Sequence, residues 1–215
     1  QDTIRGSRVD RASREFGMKA HEIAREVAAF VVDRLRVQLR DDGKRYDLIE
    51  AILEVERTSK VLEFQSAMVS GNTTWDDIVI VVARVEALQA FLKTDDGANL
   101  VAGYKRAANI LKVEEKKDGQ AYTGEVLESH LTEPVELALF AALTAAKAAI
   151  DPALEREDFA GAMTVMAGLR APVDAFFDKV KVNADDHVVR TNRLNLLGAL
   201  RATLLRVADF SKIEG

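Results

Sequence analysis

Cysteine is absent from these 215 residues. That excludes disulfides, thiolate nucleophiles, iron–sulfur clusters and Cys-ligated zinc together, and it fits a reducing compartment. Breakers are scarce: Gly 12 and Pro 3 fall well below the roughly 12 % these two residues supply in average proteins. Alanine, the best helix former, contributes 32. A chain with this balance is expected to be all-α, a helical bundle. No uninterrupted apolar run reaches the roughly 18 residues of a membrane span, and the charged start (Asp2, Arg5, Arg8, Asp10, Arg11) is no signal peptide, so a cytoplasmic protein without a membrane partner is expected. The first residue is Gln1, which leads us to expect a processed product or a segment of something longer. The formal net charge of −5 excludes a uniformly basic nucleic-acid sleeve but not a local basic face.

Histidine is almost as sparse. His21, His130 and His187 lie far apart and outside any His-x-x-His or His-Glu-x-x-His pattern, so no metal site is expected. Glycine-rich phosphate cradles and Gly-x-Ser-x-Gly are missing, which leaves nucleotide and acyl-transfer chemistry without a foothold and the catalytic set empty. The acidic pairs Asp41-Asp42, Asp76-Asp77, Asp95-Asp96 and Asp185-Asp186 read most simply as charge complementing helix N-termini.

Periodicity supplies the organisation. Ile23, Val27, Phe30, Val31, Leu35 and Leu39 predict a helix over about 19–40, and a short helix near 46–55 follows Asp41-Asp42-Gly43. Residues 66–74 are the best internal boundary, dividing an N-terminal helical linker or hairpin region, 1–70, from a bundle, 71–215. Thr74 with Asp77 resembles a capping box, Trp75 a staple residue. The β-branched run at 78–82 is assigned to helix because Val85, Leu88 and Leu92 continue a period near 3.6. Asp95-Asp96-Gly97 is expected to break the chain before a helix over 98–113, with a loop over 119–130. Pro134, Pro152 and Pro172 read as three helix starts, predicting helices near 135–150, 153–169, 172–181 and 186–210. Seven to nine helices and no 30-to-45-residue repeat are expected.

Two segments turn positive against the acidic background. Over 104–117, Lys105, Arg106, Lys112, Lys116 and Lys117 face only Glu114 and Glu115, a net +3, and Lys105, Asn109 and Lys112 share one helix face. Over 187–212, Arg190, Arg193, Arg201, Arg206 and Lys212 face only Asp209, a net +4. Solvated helix faces account for such stripes; phosphate and base contacts are the alternative. Arg193 falls in the apolar stripe of the last helix and needs a partner, either an aspartate such as Asp178 or Asp185 or the phosphate of an RNA groove. Arg190 and Arg201, on the flank, are placed to reach solvent or a ligand. Tyr104, Phe176 and Phe177 are candidate stacking platforms for unpaired bases, with core packing as the alternative.

Several strings together resemble the C-terminal region of the β subunit of bacterial heterotetrameric glycyl-tRNA synthetases. They are Asp-Arg-Leu-Arg-Val-Gln-Leu-Arg at 33–40 with Asp-Leu-Ile-Glu-Ala-Ile-Leu at 47–53; Asp-Gly-Ala-Asn-Leu-Val-Ala-Gly-Tyr-Lys-Arg-Ala-Ala-Asn-Ile-Leu at 96–111; and Ala-Pro-Val-Asp-Ala-Phe-Phe-Asp-Lys-Val-Lys-Val-Asn-Ala-Asp at 171–185. Arg-Thr-Asn-Arg-Leu-Asn-Leu-Leu-Gly-Ala-Leu-Arg at 190–201 and Arg-Val-Ala-Asp-Phe-Ser-Lys-Ile at 206–213 complete the match. Lys181 departs from the family where an apolar residue is usual, and His187 where Pro is common. The resemblance implies that 71–215 is an anticodon-binding helical bundle of the kind also found in arginyl-tRNA synthetases. It implies a segment downstream of an HD domain that performs no chemistry itself within glycine–tRNA ligase, and partners tRNA-Gly, the α subunit and the rest of the β subunit, with no DNA. ATP and Mg would be used at the α subunit, with no cofactor in this segment. The tRNA contacts implied are Lys105, Arg106, Asn109, Lys112, Lys116, Lys117, Lys179, Lys181, Arg190 and Arg201, with Arg193, Tyr104, Phe176 and Phe177 structural or at the RNA edge. An arginyl-type anticodon domain, a helical scaffold without an RNA role and an independent enzyme are the competing readings.

Overall fold

The structure, a computed structural model, describes residues 30–55 and 76–214, with the side chains of 76–78 excepted. The expected helix start at Lys19, the capping pattern of Thr74 with Asp77, Trp75 and the 70/71 boundary lie outside the described residues. Two compact units divide at Gly43 and Lys44. In the first, helix α1 is described over 30–41, with Arg36 paired to Asp33 at 2.6 Å.

The second unit begins with α2, 46–55, whose Leu48, Ile49, Ala51 and Ile52 are fully buried. It belongs to the bundle rather than to an N-terminal linker region, because the chain end returns to it. The Asp209 amide donates to the Ala51 carbonyl at 2.9 Å, and the Glu214 amide to the Asp47 carboxylate at 2.8 Å. Six further helices follow: α3 (Asp76–Leu92), α4 (Asp95–Asp118), α5 (Pro134–Glu155), α6 (Phe159–Ala167), α7 (Arg170–Lys179) and α8 (His187–Leu205), with 3-10 turns at Glu128–His130 and Phe210–Lys212. Among the described residues there is no strand. The β-branched run at 78–82 is helical, because Val81, Val85, Leu88 and Phe91 reach the core only at helical spacing.

Three boundaries differ from expectation, each for a local reason. Asp95-Asp96-Gly97 does not break the chain. Thr94 caps α4, its hydroxyl accepting from the Gly97 amide at 3.0 Å, and the two aspartates occupy the first turn, where carboxylates suit the dipole. The charge run 114–118 extends α4 by more than a turn beyond the expected end. Pro134 and Pro172 sit in first turns as expected, but Pro152 lies inside the last turn of α5. Its fixed φ is helical, and the one bond it forfeits belongs to the exposed Ala148. The turn comes instead at Glu157, whose φ of 58° is left-handed, before Asp158 caps α6 by accepting from the Gly161 amide at 2.8 Å.

Helices α4 and α5 form the middle of the bundle. α5 packs on α6, α7 and α8, and α4 on α3, α6, α7, α8 and the last 3-10 turn. Leu100, Leu111, Leu139, Ile150, Phe176, Leu196, Leu200 and Phe210 are fully buried between them. By length and composition α5 would suffice to cross a membrane. In the bundle it carries the buried Glu136 and lies against three helices.

Candidate nucleic-acid interface

The two positively charged segments become α4 and α8, packed side by side. Two glycines set the spacing around them. A Cβ on Gly198 of α8 would lie 2.0 Å from the Tyr122 carbonyl oxygen, and one on Gly103 of α4 would lie 2.6 Å from Val173 Cγ1 of α7. Close approach at the first lets the 119–127 loop press onto α8, and at the second brings α7 onto α4.

Packing then decides which charges remain outside. Arg190 reaches across to α4, donating to Glu114 at 2.5 Å and Asp118 at 2.6 Å, and also to Asn183 at 3.2 Å and the Tyr122 hydroxyl at 3.3 Å. Asn183 in turn donates to Glu114 at 3.0 Å, and the Tyr122 hydroxyl to Asp118. Arg201 grips Glu115 with both terminal nitrogens, at 2.7 and 3.2 Å. The hydrogen bond from Arg190, then that from Asn183, holds the Glu114 carboxyl below its ordinary range; Arg201 does the same for Glu115, and the Tyr122 hydroxyl with Arg190 for Asp118. Asp118, then Glu114, pushes the Arg190 pKa further up.

Arg193 is buried, but its partner is neither Asp178 nor Asp185. Its Nε donates to Glu136 at 2.5 Å, and its other nitrogens to the Lys181 carbonyl at 2.9 Å and the Thr132 hydroxyl at 3.1 Å. Glu136 is fully buried. Burial raises its carboxyl, but the Arg193 bond together with the Glu133 and Thr132 amides outweighs that and leaves it below the ordinary value. Nor is an RNA groove the destination of this guanidinium. Arg206 completes the pattern on Asp151.

Arg190 and Arg201, expected as an exposed donor stripe, are therefore structural clamps between α8 and α4. The expected two-helix basic surface is reduced to one helix. On α4, Arg106, Asn109, Lys112, Lys116 and Lys117 are exposed and Lys105 is half-buried, while Glu114 is buried and Glu115 half-buried against α8. The two glutamates counted against the lysines in the sequence face inward onto arginines. The lysines keep the solvent side. Lys179 and Lys181 are exposed at and beyond the end of α7, Lys181 lying 3.6 Å from Asp185.

The expected aromatic platforms are corrected by burial. Tyr104 is 3 % exposed and packs on Phe210 at 5.6 Å, and burial, with Asp209 nearby, pushes its hydroxyl up to about 12. Phe176 is fully buried and Phe177 nearly so, the two rings meeting edge-on at 5.4 Å. Covering Phe177 is Arg106, its Cζ 4.4 Å from the ring centroid.

Glu136, Asn192 and Tyr122 escaped the sequence reading. Glu136 had a signal, standing two residues after Pro134 and three after Glu133, where a carboxylate reaches back to the amide before the helix. Asn192, which exchanges two hydrogen bonds with the Leu127 backbone at 2.8 and 2.9 Å, had none. His187, at a position where Pro is common in the resembling family, is the first residue of α8, the place at which proline is tolerated in any helix. Among the described residues no cluster of three or more His, Cys, Asp or Glu could hold a metal ion.

The chain is 51 % identical over 191 residues to a glycine–tRNA ligase β subunit of Cereibacter sphaeroides, covering 89 % of the chain and 25 % of that protein. It is 51 % identical over 193 residues to one of Phenylobacterium zucineum (90 % and 26 %) and 46 % identical over 204 residues to one of a Ruegeria species (94 % and 27 %). The chain thus spans about a quarter of the length of these curated relatives. Residues 100–213, from α4 through the last 3-10 turn, match the family described as DALR anticodon binding domain, and the chain belongs to that family.

Proposed function

We propose that this chain is the tRNA-binding portion of a glycine–tRNA ligase β subunit, and that it grips the anticodon arm of tRNA-Gly through the solvent face of α4. The observation that carries the reading is the sorting of charge on that helix. Glu114 and Glu115 are neutralised by Arg190 and Arg201, while Arg106, Lys112 and Lys116 stay in solvent, and Lys117 is exposed with its Nζ 3.8 Å from Glu114. A molecule of net charge −5 thereby presents a concentrated basic face, and repulsion elsewhere limits nonspecific RNA binding. Lysines of this kind position phosphates, and exposed polar side chains between them read bases.

The working assembly on this reading includes the α subunit and the remainder of the β subunit in the cytoplasm. ATP and Mg are used there, at the α subunit, and this chain supplies affinity and orientation rather than chemistry. On this reading the nucleic-acid partner is RNA and not DNA. Titration with tRNA-Gly at several salt concentrations tests it. Lys112→Ala and Lys116→Ala should each weaken binding and reduce the salt slope by roughly one, with thermal stability unchanged. Arg201→Ala should lower stability by about 1–2 kcal/mol and leave the slope intact. An unchanged slope in both lysine variants would overturn the reading.

A further inference from the structure

Arg190, Arg193 and Arg201 of α8, and Arg206 just beyond its end, each end on a carboxylate. Arg106 ends on a ring. Its guanidinium lies 4.4 Å from the Phe177 centroid, yet the residue is exposed, so one side of the group is seated and the other faces solvent. The seat is rigid. Phe177 is held by the edge contact with Phe176, and α7 is drawn onto α4 at Gly103, where Val173 fills the space a side chain would need. A planar cation seated on an aromatic ring has its conformational freedom already restricted. Its outer face offers unpaired nucleobases a stacking surface, as guanidinium planes do in single-stranded RNA recognition.

The neighbours along α4 fit the same ligand. Asn109, one turn on, is exposed, and its amide carries both a donor and an acceptor. Val113, two turns on and nearly in line with Arg106, is 62 % exposed, an apolar surface in the middle of a basic face. Lys117 continues the column, and Lys112 and Lys116 lie to one side of it, all three exposed. Plane, amide and apolar contact in series, bordered by cations, are what an unpaired base and its phosphates require, whereas a patch that held only phosphates would need none of the first three. We propose that Arg106 is the base-stacking plane of the RNA site and that Asn109 reads the stacked base beside it. Its amide matches an edge that pairs an amino donor with a ring-nitrogen acceptor, as in cytosine or adenine. This rests on the RNA-binding reading above and adds that the contact is with bases rather than phosphates alone.

The test uses the 215-residue chain and a synthetic RNA stem-loop carrying a glycine anticodon, beside the same stem-loop with abasic sites in the loop. Arg106→Lys keeps the charge and loses the plane. It should weaken binding of the intact loop by about 5- to 100-fold with an unchanged salt slope, and bind the abasic loop as the unsubstituted chain does. Phe177→Leu, which removes the seat without touching Arg106, should reproduce this selectivity, and thermal melting will show whether it folds. Lys112→Ala should weaken both RNAs equally. Asn109→Ala should lose discrimination between cytosine and uracil at the contacted position, and loops with adenine there identify which base is favoured. If Arg106→Lys loses the intact and the abasic loop to the same extent, or neither, the stacking role is overturned while tRNA binding stands. If the unsubstituted chain binds neither RNA, both readings fall.

Discussion

The Arg193–Glu136 pair joins α8 to α5 inside the bundle. Arg193 and Glu136 are 9 % and 0 % exposed at their side chains, and each has further hydrogen bonds, from Thr132 and Glu133 on one side and to Lys181 and Thr132 on the other. Removing one partner strands a charge in the core. Arg193→Ala should therefore cost about 3–5 kcal/mol in urea unfolding, whereas replacing both residues by apolar ones of similar volume should recover most of that loss. A double variant as unstable as Arg193→Ala would show that the surrounding bonds, not the stranded charge, carry the cost. The need for a partner at Arg193 was legible, because an arginine in an apolar helical stripe must be compensated. Its identity was not. Glu136 is 57 positions away, and only the crossing of α5 and α8 brings the two together.

At the scale of elements, α4 and α8 are joined through charge, and this gives the joint a pH dependence. Glu114, Glu115 and Asp118 at this joint, and Glu136 between α5 and α8, all have carboxyls held below their ordinary values of 4.5 for Glu and 3.8 for Asp. A depressed folded-state value means the unfolded chain binds protons first as pH falls. The stability these groups contribute is thus complete above the ordinary values and is lost as pH drops through the lowered ones. Urea midpoints should stay level from neutrality to about pH 5 and fall steeply below about pH 4. Arg190→Ala should flatten that acid limb while lowering stability at neutral pH, because Glu114 and Asp118 then return towards ordinary values. An acid limb as steep in Arg190→Ala as in the unsubstituted chain would contradict the assignment. Charge counting alone pointed elsewhere, since from the sequence Arg190 and Arg201 look like ligand donors on a basic helix.

For the whole molecule, the relevant proportion is length: about a quarter of a relative, containing a bundle that matches an anticodon-binding family over residues 100–213. With no nucleotide cradle and no nucleophile–base set in its sequence, the chain should show no glycine-dependent pyrophosphate exchange with ATP, and adding tRNA should not change that. Exchange by the purified chain, retained after Lys112→Ala, would mean a catalytic site that the sequence does not reveal.

What the sequence determined by itself is the secondary structure, the family resemblance and the position of the basic helix. The apolar period near 3.6 over 78–92 and the string at 104–111 are local, and local patterns fix helices and their faces without reference to neighbours. Tertiary structure decided which of the charges on those faces are spent. Glu114, Glu115, Arg190 and Arg201 are all polar surface residues by composition, and only the packing of α8 on α4 turns them into internal pairs. It likewise buried Tyr104 and Phe176 and seated Arg106 over Phe177. The physical reason is that a charge or ring acquires its role from what lies within a few ångströms of it, and a neighbour some 70 or 80 residues away is supplied by the fold.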